Sequence, residues 1–312
     1  MISQLTEADL ALAFSFPKLI EALRTGFTES FIIPQRMHLD FPHPGGNTDN
    51  TLLLMPAVQM GQYAGVKIVQ VSPENRSLGL PTIQGIYYLL DAVTGVPKAL
   101  MDAKALTNWR TAAASALAAD YLARPDSEHL LMVGTGALAP FLIEAHQAVR
   151  PLRHLTLYGR SPDKAAKLAR RFSDRFESVE VVPNLSRAVQ KADIISVATM
   201  SESPLILGEW LQNGQHLDLV GAFKPTMRES NDAVMTRADV YVDSLEMAPK
   251  EAGDLSQPIA AGIIQEEDLK GDLFGLCRGE VSGRMDAETI TVFKSVGHAL
   301  EDLVAARLVV NG

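Results

Sequence analysis

Thiols are nearly absent from this sequence: Cys277 is the one cysteine in 312 residues. That excludes an internal disulfide and any zinc centre built from several thiolates. With no mark of oxidation, it points to a reducing compartment, the cytoplasm. Basic residues are in deficit, 28 Lys and Arg against 37 Asp and Glu, for a net charge of −9. Such a surface repels phosphate backbones, so nucleic acid is not an expected partner. An anionic ligand has to be caught by a local basic pocket instead. No apolar run approaches the ~18 residues of a membrane span, so no membrane partner is expected either. The acids Glu7 and Asp9 stand where a secretory signal would carry basic residues. Internal repeats, low-complexity tracts and a long linker are also missing. What is present is an apolar content of 47%, enough to bury a sizeable core. A chain of this length forms two domains or one large one.

Three regions differ in pattern. In the first, to about residue 105, Thr6 and Asp9 form a box-like helix start. Short runs rich in β-branched and aromatic residues follow at 51–57, 65–71, 85–91 and 98–101, bounded by Gly, Pro, Asn and Asp. Strands without long helices between them predict an antiparallel or mixed sheet. In the second region an Ala-rich helix runs from about Asn108 to Ala123. Strands are then predicted at 129–133, 154–158, 179–182, 193–198, 216–220 and 239–242, with helices at 137–149, 162–176 and 185–191. That alternation implies an α/β, Rossmann-type, doubly wound parallel sheet. The third region, about Ala287 to Val310, reads as one long amphipathic helix.

The strand Leu130-Leu131-Met132-Val133 feeds into Gly134-Thr135-Gly136-Ala137-Leu138-Ala139 and then a helical pattern. Glycines there let the backbone approach a pyrophosphate, and the helix start offers unpaired N–H groups to it. The next strand ends in Tyr158-Gly159-Arg160-Ser161-Pro162-Asp163-Lys164. No acid stands at the strand end to accept from the ribose hydroxyls, as an NAD-selective site requires. Arg160, a Ser161 cap, Pro162 at the first helical position and Lys164 one turn on suit a phosphate dianion. The expected cofactor is therefore NADPH in preference to NADH.

Two other cations stand out. Lys67 interrupts the apolar strand Gly65-Val66-Lys67-Ile68-Val69 and faces either a cleft or solvent. Arg110 falls in the first turn of a helix read as beginning at Thr107, where a cation opposes the dipole and an anion would be welcome. Arg36, in Pro34-Gln35-Arg36-Met37-His38, says little alone.

The segments Met101–Ser115, Val220–Glu229, Val242-Asp243-Ser244, Glu251-Ala252-Gly253-Asp254 and Thr291–Gly297, with the Gly134 loop, resemble the ornithine cyclodeaminase/mu-crystallin family. The resemblance runs over nearly the whole chain. It implies a discontinuous α+β substrate-binding and dimerisation domain at 1–115 and 288–312, beside an NAD(P)-binding domain at 116–287. It places Arg36, Lys67 and Arg110 at the substrate-carboxylate and catalytic positions. It places Thr82, Gln84, Thr111, Gly134, Thr135, Gly136, Ala137, Leu138, Arg160, Ser161, Lys164, Val197, Ala198, Thr199 and Ser295 by the cofactor. Cyclodeaminases and the related alanine dehydrogenases carry an Asp shortly after the Val-Gly dipeptide, where this chain has Phe223. A ring accepts no proton, so amine oxidation loses its base; the ring can instead wall a small heterocyclic substrate. The sequence is in this respect similar to the ketimine-reductase branch, which implies NADPH-dependent reduction of Δ1-pyrroline-2-carboxylate and Δ1-piperideine-2-carboxylate by a homodimer without metal. The alternatives are a cyclodeaminase or an alanine- or opine-type dehydrogenase with its base elsewhere, for example at Glu251, or a mu-crystallin-like NADPH-dependent binding protein. His298 reads as a helix-surface or packing residue.

Overall fold

A computed structural model describes residues 2–46 and 48–311, so residues 1 and 312 at the outer ends of the expected domains lie outside the described residues. The chain divides into two compact units, Met1–Thr111 with His298–Gly312, and Ala112–Gly297.

The first unit opens with β1 (Ser3–Leu5), α1 (Glu7–Ala13) and α2 (Phe16–Gly26), and Thr6 and Asp9 close the capping box on α1. A meander follows: β2 (Met37–Phe41), β3 (Asn50–Gln59), β4 (Tyr63–Val71), β5 (Ile83–Asp91) and β6 (Pro97–Asp102). The sheet order is β1-β6-β5-β4-β3-β2, antiparallel except for β1 beside β6. Alternation decides its two faces. Gly65, Lys67, Val69 and Val71 of β4 point inward, and Tyr87 and Leu89 of β5 join them. The helix Ala299–Asn311, buried from Ala299 to Ala306, packs on α2 and on β3 and β4. The helix α3 (Ala103–Leu122) begins in this unit, with Asp102 accepting the Ala105 N–H at 2.7 Å. It therefore starts earlier than Asn108 or Thr107, because that carboxylate supplies the cap the expectation sought at the threonine.

The second unit is a parallel sheet of eight strands: β7 (His129–Val133), β8 (His154–Tyr158), β9 (Ser178–Val181), β10 (Ile194–Val197), β11 (His216–Leu219), β12 (Asp239–Val242), β13 (Gly271–Asp272) and β14 (Thr291–Lys294). Its helices are α4 (Ala139–Val149), α5 (Pro162–Phe172), α6 (Leu185–Lys191), α7 (Asp232–Arg237), α8 (Ala248–Glu251), α9 (Gly253–Ala260) and α10 (Leu273–Arg278). The order β13-β12-β14-β11-β10-β7-β8-β9 reverses direction between β7 and β10, the switch point at which open α/β sheets bind ligands. This is the expected doubly wound fold. One element corrects the reading: 287–310 is not a single helix. Thr291, Val292, Phe293 and Lys294 are all at most 1% exposed, so no polar face exists there. They form a central strand between β11 and β12, and Gly297, at φ +81°, separates it from the terminal helix.

Candidate functional site

In the first unit the fold gathers the predicted cations. Lys67 is 3% exposed on the inner face of the sheet, so of its two open readings the solvent-facing one is excluded. Its Nζ lies 2.8 Å from Oδ2 and 3.0 Å from Oδ1 of Asp302, with Thr107 Oγ1 at 3.5 Å. Arg110 is in the second turn of α3, so it does not oppose the helix dipole as the sequence reading held. It donates from Nε to Asp302 Oδ1 at 3.0 Å and from Nη1 to Glu301 Oε2 at 2.6 Å. Arg36, in the segment before β2, acts electrostatically on both Lys67 and His298. Tyr87 faces Lys67 directly across the β4–β5 pair.

Burial and the two guanidinium groups push the Lys67 ammonium down to about 8, although Asp302 pulls the other way. Burial would raise the Asp302 carboxyl, but Arg110 and Lys67 outweigh it and hold the group below its usual range. Burial and Asp302 together raise the Tyr87 phenol well above its ordinary value, so it stays neutral. Lys67 and Arg110 are buried against the two buried carboxylates, and Arg36, itself only half-buried, adds its positive field to the lysine. A guanidinium beside a buried ion-pair network suits a carboxylate ligand.

Glu301, Asp302 and Tyr87 were missed by the sequence reading. Inside a helix read as running from 287 to 310 the two acids gave no signal of their own; only their burial, 0% exposed for both, marks Glu301 and Asp302. Of the two readings of His298, helix surface or packing, burial favours packing. The residue is 5% exposed at the start of the terminal helix, where its Nδ1 accepts the Leu300 N–H. Burial and the nearby Arg36 push its imidazole down to about 4, so it is neutral at physiological pH. Thr111 is buried nearby on α3, and the Thr82 carbonyl accepts the Ser72 N–H. Gln84 pairs with Gln70 on the sheet face opposite Lys67, so the fold does not bring it to the cluster.

In the second unit Gly134 leaves β7 at φ +114°, and a Cβ there would meet the Ala198 carbonyl oxygen at 2.4 Å. Gly136 is the opposite case: nothing lies within 4 Å of where its Cβ would stand. The first turn of α4 carries no side-chain cap. The open backbone at Gly136, ahead of a helix start with no side-chain cap, fits a pyrophosphate. Thr135, Ala137 and Leu138 belong to the same loop, while Val197, Ala198 and Thr199 end β10 next to it. Ser161 caps α5, accepting the Lys164 N–H at 3.4 Å. Arg160 and Lys164 are exposed beside it, and among the described residues neither side chain is paired with a carboxylate. Phe223 is half-buried in the turn after β11. Asp243 accepts the Val296 and Gly297 N–H groups at 2.8 and 2.7 Å and so fixes the segment after Ser295, which is itself buried. Among the described residues no group of His, Cys, Asp and Glu is arranged to hold a metal ion, and no helix is long and apolar enough to cross a membrane.

The profile of the Ornithine cyclodeaminase/mu-crystallin family matches residues 6–312. Delta(1)-pyrroline-2-carboxylate reductase of Paracoccus denitrificans (strain Pd 1222) is 39% identical over 303 residues, 97% of this chain and 94% of that protein. The solved structure of Thermococcus litoralis Delta(1)-pyrroline-2-carboxylate reductase, in complex with NADH and L-proline, superposes with a TM-score of 0.92 at 31% identity, covering 99% of this chain and 97% of that one. An archaeal alanine dehydrogenase dimer with bound NAD gives the same TM-score and identity over 99% and 95%.

Proposed function

The chain belongs to the ornithine cyclodeaminase/mu-crystallin family, and from that premise we propose that it reduces cyclic imino acids with NADPH, converting Δ1-pyrroline-2-carboxylate to L-proline and Δ1-piperideine-2-carboxylate to L-pipecolate. The observation that carries the reading is the pair Lys67 and Arg110, buried against Asp302 and Glu301, with the half-buried Arg36 acting on the same lysine. In this reading the first unit grips the substrate and the second holds the cofactor. Arg36 and Arg110 clamp the carboxylate and align the C=N carbon. Lys67 stabilises the carboxylate or delivers the proton to the ring nitrogen, directly or through a water. Phe223 walls the ring. The cofactor, when bound, supplies the hydride. The residues of the Gly134 loop, Arg160, Ser161, Lys164 and the 197–199 segment are the proposed cofactor contacts, with Thr82, Gln84, Thr111 and Ser295 assigned to it by family likeness.

The choice of NADPH rests on Arg160 and Lys164 at a capped helix start, with no carboxylate partner among the described residues. The deciding experiment is a single panel: oxidation of NADPH and NADH with pyrroline and piperideine carboxylates, with pyruvate plus ammonia, and ornithine with NAD. The cyclic imines are expected to be the fastest substrates. In Arg160→Ala the KM for NADPH should rise about tenfold and that for NADH hardly at all; equal changes sink the NADPH preference. Ammonia release from ornithine, or faster turnover of pyruvate with ammonia, sinks the reductase reading.

We also infer a cytoplasmic homodimer. The outer face of the first-unit sheet carries an apolar patch: Met37, Leu39 and Ile86 are 58%, 54% and 45% exposed. By register they share that face with Leu52, Leu54 and Ile68. A patch of that character on a soluble surface marks an association site. Light scattering should return twice the 33.8 kDa chain mass, and Leu39→Asp should return the chain mass itself. A wild-type protein that already scatters as one chain overturns the assembly.

A further inference from the structure

Glu229 is 0% exposed in the second unit, and the partners of its carboxylate lie beyond β10 and β11 rather than in the loop after β7. That carboxylate ties together the ends of two neighbouring strands. Oε1 accepts the Thr199 N–H and hydroxyl, both at 2.7 Å, just beyond β10. Oε2 accepts the Gly221 N–H at 2.7 Å and the Ala222 N–H at 3.1 Å, just beyond β11. Asp254 on α9 holds Glu229 in turn, accepting its N–H at 2.9 Å and the Ser230 N–H and hydroxyl at 2.8 and 2.9 Å. Lys294 at the end of β14 lies 3.5 Å from Asp254 and donates to the Leu219 carbonyl at 3.1 Å. Close packing leaves no slack: a Cβ on Gly221 would stand 1.9 Å from the Thr199 carbonyl oxygen and 2.5 Å from Glu229 Oε1.

Four donors converge on two oxygens, so only an ionised carboxylate accepts them all. A protonated carboxyl must either set its O–H against one of these N–H groups or turn it to the Thr199 hydroxyl, which then no longer donates to it. We propose that Glu229 is a positioning residue for the nicotinamide cofactor, its ionised carboxylate setting the spacing of the Thr199 segment and the Gly221–Ala222 turn that leads to Phe223. This rests on the reading of the second unit as the cofactor domain. The groups that face Glu229 are Lys294, Asp254 and Thr199. Burial, assisted by Asp254 and opposed by Lys294 and the Thr199 hydrogen bonds, pushes the carboxyl up to about 7. Cofactor affinity is therefore highest above neutrality and falls as the pH drops and the clamp opens.

The test is direct binding of NADH and NADPH, by fluorescence or calorimetry, from about pH 5.5 to pH 8.5, with no turnover required. NADH is essential because the NADPH 2′-phosphate itself titrates near pH 6. Wild-type affinity for both is expected to fall below about pH 7, approaching tenfold per pH unit. Glu229→Gln should bind both about tenfold more weakly at pH 8 and show no inflection. Wild-type-like affinity, or an inflection retained in Glu229→Gln, overturns the proposal. Should that variant not fold, Thr199→Val decides. Removing a hydrogen bond that favours the ionised form must move the inflection to higher pH, and an unmoved inflection refutes the clamp. Because binding is read without substrate, a chain that binds cofactor through this clamp yet fails to reduce imines would sink the reductase reading and leave the clamp standing.

Discussion

Arg110→Leu is expected to destabilise the protein by roughly 3–5 kcal/mol, the cost of leaving a buried charge without its partner. The reason is the sharing of partners. One guanidinium serves Glu301 at 2.6 Å and Asp302 at 3.0 Å, and both acids are fully buried. Lys67 still faces Asp302 in the variant, so Glu301 bears the larger loss. In thermal melts a drop of roughly 6–20 °C follows. A pH series makes the cause specific. In the wild type Asp302 titrates below its ordinary value, so it adds stability above the unfolded-state pKa and loses it only as the pH falls through the lower folded one. Without Arg110 the largest of the contributions that lower it is gone, and the carboxyl rises. Between the two values the folded variant binds more protons than the folded wild type, so the melting gap between them should widen as the pH rises from acid towards neutral. The double variant Arg110→Leu/Glu301→Leu also removes the acid that has lost its arginine and should be more stable than the single one. A single variant that melts with the wild type, or a gap that narrows towards neutral pH, is incompatible with this arrangement.

The same cluster marks where sequence reasoning ends. The Gly134 loop was legible because strand, glycines and helix follow one another within a few residues, and local propensity suffices to order them. Ser161 and Pro162 were legible for the same reason, being a cap and a first-turn residue whose roles are set by neighbours. Lys67 was visible as a charge in an apolar strand, yet which way it faces depends on Asp302, 235 residues away in sequence. The Arg110 reading invoked a dipole at Thr107, whereas the helix is started by Asp102 and the arginine answers to acids on the last helix. Four consecutive buried residues, Thr291 to Lys294, carry neither the helical nor the alternating period, because a central strand covered on both sides has no polar face to reveal. Glu229 and Asp254 stood inside motifs that carried the family likeness. Their work is to hold backbone amides, which no side-chain pattern predicts.

The alkaline limb of kcat/KM is expected near pH 8, and Asp302→Asn is expected to move it to lower pH. Burial with Arg110 and Arg36 lowers the Lys67 ammonium to about 8, while the Asp302 charge and hydrogen bond oppose them. Exchanging that carboxylate for an amide removes the opposing contribution, so the lysine gives up its proton earlier. Lys67→Met should lower kcat/KM by about 10²–10⁴-fold, the usual contribution of a positioned proton donor, and abolish the enzyme's own limb. The titration of the free imine also enters kcat/KM, but it is the same in all three proteins, so only a displacement between them reports on the lysine. In the substrate complex the bound carboxylate favours the ammonium, and the limb in kcat should lie above that in kcat/KM. Unfolding does not mimic this pattern. A lysine that titrates near 8 when folded and near 10.4 when unfolded binds more protons in the unfolded chain, so its contribution to stability increases with pH across that window. Activity falling while that contribution grows is the signature of a proton needed at the site, and a limb that stays in place in Asp302→Asn removes Lys67 from that role.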